Sequence, residues 1–293
     1  MSVLDVSHIS KSFGNQTILN DVNLSFSGNK IYGLLGGRNG AGKSTLLNII
    51  TNRLLPNGGK VTINGDTVDN NDEALSHLFL MSEVNMYSNG SKLSKIIDDT
   101  ELLYGSIDRQ LVTELANKFE LDLNQRFGKL STGYRSIFKL ILALCLPVEY
   151  VLLDEPVLGL DASHRELFYS EMLKTYADQP RNFIISTHLI EEIATIISDV
   201  IVLDNGHVLL HDTAENVLAQ SSVVVGPKAD VEQYTQDLNV IGKESIGQLA
   251  AFYIYGELND RPIPDTVKIS PVDLQKIFIF LTNYTNGGNG SEK

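Results

Sequence analysis

The run Gly37-Arg38-Asn39-Gly40-Ala41-Gly42-Lys43-Ser44 sets glycines, a lysine and a hydroxyl in the spacing G-x-x-x-x-G-K-[ST]. Glycines at 37, 40 and 42 let the backbone take conformations that a Cβ resists, so successive N–H groups can converge on phosphate oxygens. Lys43 supplies a mobile cation for the outer phosphates, and Ser44 a hydroxyl for the shell of a Mg2+ ion. Arg38, Asn39, Gly40, Ala41, Gly42, Lys43, Ser44 and Thr45 are therefore candidates for binding a nucleoside triphosphate. A second stretch, Tyr150-Val151-Leu152-Leu153, ends in two carboxylates. Asp154 suits a Mg2+ ion, reached through a coordinated water, and Glu155 is placed to polarise an attacking water. Each stretch alone also reads as something plainer: a glycine turn joining a strand to a helix, and a solvated turn or helix cap.

Such groups must be aimed by rigid elements. An apolar strand, Lys30 to Gly36, precedes the glycine loop, and a helical pattern from Ser44 to Ile50 follows it. Tyr150 to Leu153, bounded by Pro147 and Pro156, reads as a central strand of a parallel sheet buried on both faces. Ligands in such sheets bind beyond the carboxyl ends of the strands, where Asp154 and Glu155 fall. Residues 3 to 10, 17 to 27 and 60 to 69 alternate like strands, with turn signals at Gly14-Asn15 and Asn64-Gly65. From about 85 to 145 the pattern is helical. Helix 162 to 177, strand 182 to 186, helix 189 to 196, strand 199 to 204 and a hairpin at Asn205-Gly206 follow. The fold class is α/β. Beyond Gln220 the style changes: Val223 to Pro227, Ala251 to Gly256 and Val267 to Ile269 read as strands and Val272 to Leu281 as a helix. A small α+β accessory domain over 221–285 and a mobile tail over 286–293 are expected.

Between and after these stretches lie Leu130-Ser131-Thr132-Gly133-Tyr134, Gly159-Leu160-Asp161 and Ser186-Thr187-His188. The ordered set of phosphate loop, signature, Walker B, D-loop and H-loop resembles the ATP-binding cassette of ABC proteins, over about residues 1–220. The resemblance implies a P-loop NTPase cassette with a mixed sheet core, an antiparallel β subdomain and an α-helical subdomain near 85–145. It implies ATP with Mg2+ as ligands and ATP hydrolysis as the activity. Residue by residue, it gives Phe13 as the aromatic that stacks on adenine, with a strand-end core aromatic as the alternative. Ser131, Thr132 and Gly133 become signature residues reaching the γ-phosphate held by a second copy, and Asp161 the carboxylate that couples the two sites. His188 becomes the switch histidine that senses the γ-phosphate. Glu83, in Leu80-Met81-Ser82-Glu83, falls where the family carries a glutamine; it either coordinates Mg2+ or a lytic water, or is a solvated strand-end acid.

Other positions depart from the family as well: Arg38 replaces a usual proline, and LSTGY stands where LSGGQ is common, so Thr132 and Tyr134 add bulk. The implied working unit is a head-to-tail, ATP-sandwiched dimer of two copies. Separate transmembrane permease subunits complete it, and Met81, Val84, Met86 and Tyr87 either line the groove that receives them or pack in the core. The appendage beyond residue 220 is similar to those of bacterial ABC-2-type exporter ATPases, including exporters of antimicrobial or amphipathic peptides such as phenol-soluble modulins.

Of the 293 residues, 43% are apolar and 20% charged, enough for one large domain and a smaller one. The formal charge of −13 argues against a direct grip on nucleic acid or anionic lipid. The greasiest stretch, Ile137 to Leu153, is broken by Lys139, Pro147 and Glu149, so no direct membrane insertion is expected. The N-terminus lacks a signal-peptide pattern, and the single cysteine, Cys145, sits in an apolar run and reads as a buried thiol. Taken with these readings, the resemblance implies a chain on the cytoplasmic face of the cell membrane, held there by a membrane subunit. The leading expectation is the ATPase subunit of an ABC exporter. Two alternatives are a soluble ABC protein acting on ribosomes or DNA, and a non-hydrolysing module that uses ATP as a dimer clamp.

Overall fold

A computed structural model of the chain describes residues 2–36, 40–258 and 262–284. Gly37, Arg38 and Asn39 of the expected phosphate loop, and the expected tail, lie outside the described residues. Alternating apolar residues make an antiparallel pair of Val3–Phe13 (β1) and Gln16–Ser27 (β2), closed by Gly14 at φ +56°. Ile31–Gly36 (β3) leads toward Lys43–Ile50 (α1). Residues 60–69, with their turn signal at Asn64-Gly65, belong to a hairpin of Gly58–Ile63 (β4) and Asp66–Thr67 (β5), and Asn64 and Gly65 both turn at positive φ. Asp72–Ser76 (α2) and Leu78–Met81 (β6) follow, then Leu93–Tyr104 (α3), Arg109–Lys118 (α4) and Thr132–Cys145 (α5). Tyr150–Asp154 (β7), Ala162–Asp178 (α6) and Asn182–Ser186 (β8) come next. The helix expected over 189–196 is one turn, Ile190–Ile193 (α7). It stops where Thr195, Ile196 and Ile197 bring consecutive β-branched side chains, and Ile196 N–H bonds Ile193 O in a tighter turn. Asp199–Asp204 (β9) and His207–Thr213 (β10) form the hairpin at Asn205-Gly206, followed by Ala214–Ala219 (α8).

The central sheet runs β10-β9-β3-β8-β7-β6, parallel except for β10 at its edge. Its strands are sorted residue by residue with period two. Leu35, Phe79, Val151, Leu153, Phe183 and Ile185 enter one core, with α3 to α7. Leu34, Leu80, Tyr150, Leu152, Ile184 and Ile201 enter the other, against α1 and the β2-β1-β4-β5 sheet. Burial on both faces explains why these strands read as continuous apolar runs.

The last part of the chain is Ser221–Pro227 (β11), Lys228–Tyr234 (α9), Val240–Ile246 (β12), Leu249–Tyr255 (β13), Lys268–Ser270 (β14) and Leu274–Tyr284 (α10). Its antiparallel sheet, β12-β13-β11-β14, has its own small core around Val224, Val231, Phe252 and Ile254. Leu274, Ile277 and Phe278 of α10, in contrast, join the main core together with Ile190 and Ile193 of α7.

Candidate nucleotide site

The sheet order brings the carboxyl ends of β3, β8, β7 and β6 side by side, and the phosphate loop, His188, the Asp154-Glu155 pair and Glu83 follow them in turn. Gly42 caps α1 in the left-handed region, at φ 98°. A Cβ there would stand 2.7 Å from Leu19 Cδ2 and 3.0 Å from Ile18 O, so the loop is pressed against β2 near the β1–β2 turn. Gly40 takes a similar φ, +99°. The first turn of α1 contains no acidic residue, so its unpaired N–H groups and Lys43 face no competing carboxylate on their own helix. Ser44 is exposed and Thr45 half-buried.

Across the sheet, Asp154 ends β7 and is 8% exposed; the Ser186 hydroxyl at the end of β8 donates to its Oδ1 at 3.0 Å. Glu155 continues the ladder one residue further, its N–H donating to Ser186 O at 2.8 Å, then turns at φ 48°. That left-handed backbone, costly for a side chain this long, directs the carboxylate to His188: Oε2 lies 2.9 Å from Nδ1 and accepts from the His188 N–H at 3.4 Å. A carboxylate held this way can take a proton from water while the imidazole stays hydrogen-bonded to it.

Phe13 ends β1 with 52% of its surface exposed, and Lys11 Nζ stands 5.2 Å from its ring centroid. The core alternative is thereby excluded, and the ring is left largely open to solvent.

Residues 19–158 match the model of the family described as ABC transporter. These residues carry an ABC transporter ATPase domain.

It is 27% identical over 191 residues to the ABC transporter ATP-binding protein YtrB of Bacillus subtilis, covering 65% of each chain. It is 28% identical over 270 residues to the ribose import ATP-binding protein RbsA of Oceanobacillus iheyensis, covering 86% of this chain and 53% of that one. It is also 28% identical over 213 residues to the Nod factor export ATP-binding protein I of Rhizobium johnstonii, covering 69% and 67%. The chain thus spans about half to two thirds of the length of these relatives. Among solved structures, an ATP binding subunit of an ABC transporter superposes with a TM-score of 0.67 at 23% identity, over 74% of this chain and 92% of that one. A dimeric bacterial ABC transporter cassette gives 0.64 at 20% identity, over 72% and 98%. These likenesses show the cassette fold, as the motifs imply.

The remaining motifs of the cassette meet at one edge. Ser131 caps α5, its hydroxyl accepting from Tyr134 N–H at 3.3 Å while its own proton remains free to donate elsewhere. Gly133 lies against the D-loop: a Cβ there would stand 3.1 Å from Gly159 O. Asp161 caps α6, accepting from His164 N–H at 2.9 Å, with His164 Nδ1 2.8 Å from its other oxygen. The His164 backbone N–H and then its imidazole hold the exposed Asp161 carboxyl below the ordinary carboxylate range. The His164 ring in turn meets Tyr134 edge-on at 6.2 Å and stacks on Phe119 at 5.9 Å. Tyr134, which replaces the usual signature glutamine, therefore ties the signature to the D-loop. Arg165 joins Leu160 O, at 2.9 Å, to Glu192 of α7, at 2.8 Å.

Glu83 is exposed and lines a cleft of about 420 Å3 with Asn85, Thr132, Arg135, Lys139 and Glu155. The groove candidates divide. Met81 is buried and Tyr87 packs edge-on against Phe127 and Phe138, whereas Val84 and Met86 are exposed. Cys145 is buried as expected, and burial pushes its thiol well up, out of nucleophilic use.

Two contacts escaped the reading of the sequence. The His164 link left no motif, being one His in the third position of a helix. Lys139 does leave a signal, a lone cation inside the apolar run of α5, but in the sequence it speaks only against membrane insertion.

Proposed function

We propose that this chain is the ATP-hydrolysing subunit of an ABC exporter, working as a head-to-tail dimer with separate transmembrane permease subunits on the cytoplasmic face of the membrane. The observation that carries the hydrolytic reading is the Glu155–His188 contact of 2.9 Å beside the buried Asp154. Gly40, Ala41, Gly42, Lys43, Ser44 and Thr45, with Arg38 and Asn39, would cradle the triphosphate, and Phe13 would stack on the base. The Ser44 hydroxyl and the Asp154 carboxylate are hard oxygen donors of the kind Mg2+ takes, and Ser186 orients the carboxylate. Among the described residues no group of three or more His, Cys, Asp or Glu side chains could hold a metal alone. That agrees with an ion bound by one or two protein oxygens and the nucleotide's phosphates. When bound, the ion would neutralise charge on the phosphates. Glu155 would orient and deprotonate the attacking water, and His188 would hold Glu155 in place.

The exposed Ser131–Gly133 turn and Asp161 sit together, so a second copy laid against this edge would bring its nucleotide to them. Support for a dimer is the solved cassette described as dimeric. Support for export is the similarity to the Nod factor export protein, while the ribose import relatives point toward uptake. Among the described residues no helix is long and apolar enough to cross a membrane, which supports a separate permease. The test is phosphate release and sedimentation of the purified chain with and without Mg2+ and ATP. ATP-dependent dimerisation with turnover is expected; a monomer that retains no ATP would overturn the reading. Reconstitution with the permease in vesicles of fixed orientation separates export from import.

A further inference from the structure

Lys139 is an expensive residue where it stands. It is 5% exposed, within a helix in which every residue from Ser136 to Cys145 is buried. An ammonium in such a place costs several kcal/mol unless it is bonded and paired. Its Nζ donates to Ser82 O at 2.5 Å and to Glu83 O at 3.4 Å. These are the first two carbonyls after β6, where the chain leaves the parallel sheet and loses its ladder partners. The Glu83 side chain lines the same cleft as Lys139, together with Arg135 and Glu155. Burial pulls the ammonium below the ordinary lysine range, Glu83 pulls it back up, and Arg135 pushes it down.

We propose that Lys139 is a positioning residue that, paired in charge with Glu83, latches the loop after β6 to the signature helix α5. The inference rests on the ATPase reading above and extends it to the linkage between sheet and helical subdomain. A glutamine at position 83 would need no counter-charge. A carboxylate beside Glu155 does, since two like charges in one cleft repel, and Lys139 supplies it from beneath. The same ammonium satisfies the carbonyl of the buried Ser82 and reaches that of Glu83. One end of the latch belongs to the element carrying Ser131 and Gly133, the other to the loop that starts at the edge of the central sheet. Displacement of α5 is therefore transmitted to Glu83.

Two measurements decide it on the full chain, using Lys139→Met, Glu83→Gln, the double variant and Lys139→Arg. First, hydrogen exchange of the nucleotide-free protein over residues 82–87 should quicken by about tenfold in Lys139→Met and stay within about threefold of the parent in Lys139→Arg. Second, Glu83→Gln should lower kcat in the parent but raise it by about fivefold in the Lys139→Met background, with KM for ATP unchanged. Equal effects of Glu83→Gln in both backgrounds, or exchange in Lys139→Met that matches the parent, would overturn the latch. Should Lys139→Met not fold, exchange over residues 82–87 quickened by about tenfold or more in Lys139→Arg would do so. If the parent chain hydrolyses no ATP, the ATPase reading fails, and the exchange comparison still decides the latch.

Discussion

Replacing Glu155 by Gln keeps length, shape and backbone strain, since both residues would stand at the same φ of 48°. What changes is charge and basicity. The Glu155 side chain is 21% exposed and that of His188 54%, so the contact in the resting protein is half open to water. Pairs of that kind contribute about 0–1 kcal/mol, and the amide oxygen of Gln still accepts from the His188 N–H and imidazole. Unfolding free energy should therefore move by less than about 1 kcal/mol. The chemical step loses its proton acceptor, and general acid–base groups contribute about 10²–10⁴ in rate, which is roughly 2.7–5.4 kcal/mol of barrier. The two numbers differ enough to separate a catalytic group from a structural one. Phosphate release at saturating Mg2+ and ATP gives the first, urea titration of the same preparations gives the second, and size-exclusion chromatography with ATP should show the variant accumulating as a dimer. Turnover within about tenfold of the parent, or a stability loss as large as the activity loss, would refute the role given to this carboxylate.

Phe13→Ala should leave stability within about 0.5 kcal/mol, because the ring is half exposed, and raise KM for ATP by about tenfold, as expected for loss of base stacking; an unchanged KM would leave Phe13 without that role. Gly42→Ala forces a side chain into the left-handed region, for about 1–2 kcal/mol, and sets its Cβ 2.7 Å from Leu19 Cδ2. A total loss of about 2–3 kcal/mol and a Tm lower by roughly 5–10 °C should appear in thermal melts, with weakened ATP retention. Glu171 is buried, which alone would raise its pKa, yet ammonium hydrogen bonds from Lys118 at 2.8 Å and Lys174 at 2.7 Å hold it below its ordinary value of 4.5. A depressed carboxylate contributes stability above its unfolded value and loses it as pH falls through the folded one. Glu171→Gln should therefore cost about 1.5–3 kcal/mol at pH 7 and progressively less below about pH 4; a gap in urea midpoints that stays constant with pH would contradict this.

The parts of the fold that could be read from the sequence are those in which one physical demand dominates. Tyr150 to Leu153 had to be apolar on both faces, and Asn64-Gly65 and Asn205-Gly206 had to turn at positive φ, so core strands and hairpins announced themselves. The Walker B pair was legible because Asp154 and Glu155 end such a strand. Less was visible where demands were mixed. β12 leaves Glu244, Ser245 and Ile246 exposed and so lacks a clean alternation, and α9 buries only Val231 and Tyr234 over seven residues. Site contacts made across elements left no local trace: Tyr134 reads as bulk in the signature until His164 is found against it. Phe13 is ambiguous in the sequence because an exposed and a buried strand-end aromatic look alike, and its exposure removes the core alternative.

The packing of α10 bears on how the molecule can be divided. Ile277, 1% exposed, and Phe278 share one apolar body with Ile190 and Ile193, which lie just past His188. A protein shortened at Gln220 would lose the backing of that single helical turn and present bare hydrocarbon to water directly behind the histidine. The residues beyond Gln220 thus supply, through α10, part of the apolar backing of the helical turn that follows His188.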